Sequence, residues 1–138
     1  MNTLGAFLVI AVIAFVFIVP IFTRRHRTIQ RFWDRRCTGI RWRRRFPDAP
    51  KTDIREFLTI FVDAFCYDHK RRTSFSPEDC VMDVYRADYP FPKLMADSME
   101  LETLALSLEE RYRIDFDAVW REDITLGELY EHTRRQTV

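Results

Sequence analysis

The hydrophobic positions of the chain form one long apolar run, followed by segments in which apolar residues recur at helical spacing. Residues 4–22 carry no charged or polar side chain and are rich in Val, Ile and Phe. These nineteen residues approach the length of about 20 that a helix needs to cross a bilayer, so residues 1–23 are predicted to be a transmembrane anchor. A cleaved signal peptide is the alternative, but it would have a shorter apolar run with a basic segment before it.

A basic segment, residues 24–46, directly follows this run. Ile29, Trp33, Cys37 and Ile40 recur at the spacing of one helix face, and arginines occupy many of the other positions. This pattern predicts an amphipathic helix lying on anionic lipid headgroups. The side chains expected to contact the headgroups are Arg24, Arg25, Arg27, Arg41, Arg43, Arg44 and Arg45. Nucleic acid is the alternative polyanion, and it is disfavoured because the segment follows the predicted membrane span.

Residues 47–138 are predicted to form a separate helical domain. Apolar residues from 54 to 65 follow the i, i+3, i+4, i+7 pattern of an amphipathic helix over about 53–66, and Asp53 (or Thr52) with Glu56 suits a capping box at its start. Residues 67–96 show no long periodic element, which predicts a loop with one short helical turn.

Three more helices are predicted after this loop. One begins at residue 97 or 98, a short one lies near residues 114–120, and Thr125 caps the last, with Glu128 three residues after the cap. No segment alternates as a strand would. The predicted fold class is therefore all-α: one transmembrane helix and a small four-helix bundle.

The charge of the chain is divided between its two halves. Residues 1–45 hold ten arginines and one acid, a net charge of +9, whereas the remainder holds twelve basic and twenty acidic residues, a net charge of −8. Because every arginine near the predicted span follows it, the N-terminus is expected outside a bacterial inner membrane and the rest in the cytoplasm. There the three cysteines are expected to stay thiols. No cysteine or histidine spacing suits a metal site.

Three short motifs lie within residues 94–127. Residues 94–100 read LMADSME, residues 108–112 read LEERY and residues 124–126 read ITL. Together they resemble an acyl carrier protein: in that family a Leu-Gly-x-Asp-Ser-Leu motif opens the second helix, an apolar-Glu-Glu-x-aromatic stretch closes it, and an Ile-Thr-Thr-Val-like segment begins the last helix. The spacings agree without a gap from Asp97 to Leu126, although Met95 stands where the family has glycine. Nothing in the family's core domain corresponds to residues 1–46.

The resemblance implies a four-helix carrier fold in which Ser98 bears 4′-phosphopantetheine, whose thiol holds an acyl group. By the same resemblance Asp97 would help to position the phosphopantetheinyl transferase and its metal. The face read by acyl-transferring or acyl-synthesising enzymes would consist of Met99, Glu100, Glu102 and Glu109. The alternative for Asp97 and Ser98 is an ordinary helix start, with Asp97 as the cap and Glu100 returning the bond.

The function expected from these features is that of a membrane-tethered acyl carrier protein in fatty acid, lipid or related acyl-product metabolism. No intrinsic catalysis is expected, because the chain has no Gly-x-Ser-x-Gly, glycine-rich phosphate loop or HExxH motif. The alternative is an unmodified carrier-like adaptor or subunit of a membrane protein complex. Met95 favours the adaptor, and the intact Asp-Ser-Met sequence favours the carrier.

Overall fold

The computed structural model describes residues 3–89 and 98–136, and for residues 3, 4, 21, 22 and 24–26 it describes the backbone alone. Its elements are α1 (Thr3–Trp33), α2 (Gly39–Arg45), α3 (Lys51–Ala64), a 3₁₀ helix (His69–Ser74), α4 (Val81–Asp88), α5 (Met99–Tyr112), α6 (Phe116–Val119) and α7 (Leu126–Gln136). Over these ranges the only β pairing is an isolated bridge between Cys80 and Thr125. The prediction of an all-α fold is confirmed.

The predicted transmembrane anchor at residues 1–23 is wrong. Within the residues that the structure describes, no helix is long and apolar enough to cross a membrane. The apolar run forms the first part of α1, whose last turns carry arginines and bury Ile29 and Phe32 in the core. The helix then continues to Trp33 without interruption. The single-pass inner-membrane location and its topology were derived from this anchor and are wrong with it.

Four apolar residues of the basic segment lie in the protein core, whereas Ile40 is exposed. Ile29 and Phe32 on α1 and Trp42 and Phe46 at α2 are buried in one cluster with the apolar faces of α3, α5 and α7. The rings of Trp42 and Phe46 lie 5.8 and 5.0 Å from the ring of Tyr130 on α7. Burying such rings removes a large apolar area from water. The core therefore extends across the predicted boundary at residues 46 and 47, and it is larger than the predicted four-helix bundle.

Polar contacts also join the basic segment to the 3₁₀ helix and to the turn that follows. The indole N–H of Trp42 and the hydroxyl of Thr38 both donate to the carbonyl of Phe75, at 2.8 and 2.6 Å. Arg35 Nη1 donates to both carboxylate oxygens of the buried Asp79, at 2.6 and 2.7 Å. A buried carboxylate is costly unless it is paired and hydrogen-bonded, so Asp79 holds the end of α1 against this turn.

Helix α3 begins two residues earlier than predicted. Pro50 occupies the position before the helix, and no side chain caps it. Asp53 then lies inside the first turn, where its Oδ1 accepts a bond from the Thr52 hydroxyl at 3.0 Å. Glu56 forms an ion pair with Arg111 of α5 at 2.6 Å. The predicted capping box at Asp53 is therefore wrong, because the proline sets the start of the helix.

The segment predicted as a loop, residues 67–96, contains both the 3₁₀ helix and α4. Val81, Val84 and Tyr85 lie on one face of α4 and are buried. An eight-residue helix gives too few turns for its period to be read from the sequence. Residues 90–96 of this segment lie outside the described residues.

Candidate functional site

Ser98 lies at the N-terminal end of α5, where the resemblance places the modified serine. Its backbone is left-handed, with φ 55° and ψ 12°, and its side chain makes no capping bond to the helix. The half-buried side chain directs Oγ toward Glu102, and the hydroxyl donates to Glu102 Oε1 at 3.3 Å. This bond is longer than is typical for O–H···O contacts. The hydroxyl therefore contributes little to holding the helix start.

Asp97, predicted to position the transferase, and Met95, which replaces the family's glycine, lie outside the described residues. Their predicted roles, and the alternative in which Asp97 caps the helix, stay predictions.

Two of the four residues predicted to face partner enzymes make contacts within the protein. Glu100 Oε1 accepts a hydrogen bond from the Tyr89 hydroxyl, and Glu100 Oε2 is buried with no hydrogen-bond partner among the described residues. Glu109 Oε1 accepts the backbone N–H of Phe116 at 3.1 Å and so holds the start of α6. The carboxylates of Glu100 and Glu109 therefore make contacts that stabilise the fold.

The outward face of α5 consists of Met99, Glu102 and Leu106. Met99 is 61% exposed and Leu106 is 66% exposed, with the exposed Glu102 between them. Residues three and four apart share a face of a helix, so these three side chains form one continuous surface beside Ser98. Leu106 was not predicted on this face, because the resemblance assigned the face to Met99 and three glutamates.

The arginines predicted to contact lipid do not share one surface role. Arg27, Arg41, Arg43, Arg44 and Arg45 are exposed, whereas the side chains of Arg24 and Arg25 lie outside the described residues. Arg41 lies 3.9 Å from Glu78, and the guanidinium of Arg45 lies over the ring of Phe46. Contact with anionic lipid headgroups stays a prediction.

The start of α7 is a closed hydrogen-bonded unit, as predicted for Thr125 and Glu128. The backbone N–H of Thr125 donates to Glu128 Oε2 at 2.9 Å, and the backbone N–H of Glu128 donates to Thr125 Oγ1 at 3.2 Å. The predicted capping box is confirmed. The hydrogen bond from the Thr125 backbone lowers the pKa of Glu128 below its ordinary value, and Arg121 at 3.1 Å adds to this effect.

No protein family, curated protein or solved structure matches this chain. The resemblance to acyl carrier proteins therefore depends on the short segments within residues 94–126 and on the place of Ser98 in the helix order.

Proposed function

We propose that this chain is an acyl carrier protein whose Ser98 bears 4′-phosphopantetheine. The observation that carries the proposal is the position of Ser98: it begins α5 and its hydroxyl makes no capping bond. The helix order after α4 also supports it: α5 follows Ser98 directly, α6 is short, and α7 follows Ile124 and Thr125, as the resemblance implies for the second and last helices of a carrier.

The helix start suits a phosphodiester chemically. The first backbone N–H groups of a helix have no acceptor within the helix, and the helix dipole places partial positive charge there. A phosphate joined to Ser98 Oγ would lie beside these groups. The group itself would supply the thiol that carries an acyl chain, while this chain supplies the serine and the surface around it.

The outward face of α5 supports recognition by acyl-transferring or acyl-synthesising enzymes. Met99 and Leu106 offer exposed apolar side chains, and Glu102 places a negative charge between them. An apolar contact flanked by charge is typical of interfaces in which charge sets orientation and encounter rate. The net charge of −8 after residue 45 favours a partner with a basic docking surface.

An unmodified adaptor is the second candidate function, and Met95 favours it. The family has glycine at this position, where a larger side chain would restrict the backbone before the serine or obstruct the transferase. The adaptor would use the same α5 face without any group on Ser98.

Intact-mass measurement separates the two functions. We expect the full-length chain, co-expressed with a broad-range phosphopantetheinyl transferase, to gain the mass of one phosphopantetheine. Ser98→Ala should abolish the gain, whereas Ser107→Ala, a matched change on the same helix, should leave it intact. Met95→Gly should leave modification unchanged or increase it.

The carrier proposal is wrong if neither the wild-type chain nor Met95→Gly gains mass while both are folded by circular dichroism. The adaptor function would then be supported if Glu102→Lys disrupted a complex that Ser98→Ala left intact.

A further inference from the structure

A cleft of about 580 Å³ lies between α2 and α3, away from Ser98. Its lining includes the apolar side chains of Ile40, Trp42, Ile54 and Leu58. Its volume lies within the range of about 300–1,000 Å³ that small-molecule sites occupy. Trp42, Ile54 and Leu58 are already buried by the fold, whereas Ile40 is 74% exposed. The apolar side chain that a ligand in the cleft would remove from water is therefore mainly that of Ile40.

Four basic side chains also line the cleft: Arg43, Arg44, Lys51 and Arg55. No acidic residue lines the cleft. Other arginines of the chain do have carboxylate partners, as Arg35 has Asp79 and Arg111 has Glu56. Over the described ranges, 3–89 and 98–136, none of the four cleft cations forms an ion pair. Among the described residues, no carboxylate therefore lies within ion-pair distance of these four cations.

We propose that this cleft binds a fatty acid, a single-chain amphiphile with an anionic head. The alkyl chain occupies the cleft and covers Ile40, and the carboxylate pairs with the arginines and the lysine that line it. Such a ligand matches both parts of the cleft, because apolar burial drives its binding and charge-assisted hydrogen bonds orient it. Inorganic phosphate would leave Ile40 in water, and a neutral alcohol would leave the cations unpaired.

The proposal is independent of carrier function, because the cleft is built by the basic segment and α3, and Ser98 lies on α5. Loss of modification at Ser98 and loss of fatty acid binding are therefore separate outcomes.

Calorimetric titration of the full-length chain with dodecanoate, below its micelle concentration, tests the proposal. We expect one molecule to bind. The double variant Arg43→Gln/Arg44→Gln should weaken binding by about tenfold or more, the size expected for losing at least one charge-assisted contact. The matched double variant Arg36→Gln/Lys70→Gln removes the same charge from exposed positions outside the cleft and should bind dodecanoate as the wild type does.

Ile40→Ser tests the apolar part of the cleft. Because Ile40 is exposed, this change should leave the melting temperature nearly unchanged while weakening dodecanoate binding severalfold. Acetate, which has the same head without the chain, should not bind measurably.

Cys37 locates the bound ligand, because it is an exposed thiol that lines the cleft. In a Cys66→Ser/Cys80→Ser variant, dodecanoate should slow alkylation of Cys37 by iodoacetamide severalfold. In a Cys37→Ser/Cys80→Ser variant, alkylation of the exposed Cys66 should not change.

Three results would overturn the proposal: equal affinity for dodecanol and dodecanoate, tighter binding of inorganic phosphate or an oligonucleotide than of dodecanoate, or dodecanoate binding without protection of Cys37. The last result would place the ligand elsewhere, such as on the exposed apolar side chains of α1.

Discussion

Helices α5 and α7 both begin at a hydroxyl-bearing residue with a glutamate in the next turn, but the two starts are built differently. At α7 the Thr125 hydroxyl accepts the backbone N–H of Glu128, and Glu128 accepts the backbone N–H of Thr125. At α5 the Ser98 hydroxyl makes one long bond to the exposed Glu102 and caps nothing. The Thr125 hydroxyl therefore helps to hold the start of α7, whereas the Ser98 hydroxyl does not cap α5.

The start of α7 is also held by backbone contacts to another part of the fold. The backbone N–H of Leu126 donates to the carbonyl of Asp79, and that of Gly127 donates to the carbonyl of Pro77, both at 2.8 Å. These bonds fix α7 to the turn before α4. A rigid start suits a helix that completes the core.

The largest loss of stability is expected from a substitution at Gly127. An added Cβ would lie 2.8 Å from the carbonyl oxygen of Pro77 and 2.9 Å from Cζ of Arg45. The carbonyl cannot retreat without breaking its bond to the Gly127 N–H. We expect Gly127→Ala to lower the free energy of unfolding by about 1–3 kcal/mol, as overpacking commonly does, measured by urea denaturation.

Gly39→Ala is the control for Gly127→Ala, because its Cβ would meet the Cys37 sulfur at an ordinary 3.4 Å. It should be neutral or stabilising by up to about 1 kcal/mol. Equal destabilisation by the two changes would contradict the close approach at α7.

The next largest effect on stability distinguishes the hydroxyl of Thr125 from that of Ser98. Thr125→Ala removes a cap and should lower the free energy of unfolding by about 0.5–2 kcal/mol. Ser98→Ala, the matched change at α5, should alter it by no more than about 0.5 kcal/mol. Both are measured by thermal and urea unfolding of the unmodified protein. A loss at Ser98 as large as that at Thr125 would show that the serine is a structural cap and would weaken the carrier proposal.

The smallest effect is a pH dependence at Glu128. Its pKa is lowered in the folded protein, so its ionised form contributes stability that is present above the ordinary pKa of 4.5. That contribution is lost as the pH falls below 4.5 toward the lowered value. We expect the stability advantage of wild type over Glu128→Gln at pH 7 to shrink as the pH falls below 4.5. A difference between wild type and Glu128→Gln that is independent of pH would refute the role of the charge.

The sequence by itself determined the features that depend on neighbours within one helical turn. The capping box of Thr125 and Glu128 was predictable because its two partners are three residues apart. The helix over Lys51–Ala64 was predictable from its apolar period, and only its start was misplaced by the proline effect. Ser98 was correctly predicted at a helix start. For the candidate site, the local motif gave the serine and the exposed Met99 and Glu102.

The tertiary structure decided the features that depend on distant residues. Apolar residues of the basic segment suit a lipid surface and a protein core equally, and distant rings decided which of them are buried, as Tyr130 does for Trp42, while Ile40 stays exposed. Contacts in the fold also decided which residues of α5 are exposed: Glu100 accepts a hydrogen bond from Tyr89, whereas Leu106 is exposed. The cleft between α2 and α3 forms only where these two helices pack against each other. No local pattern records such contacts, because burial is a property of what packs opposite a residue, not of its neighbours along the chain.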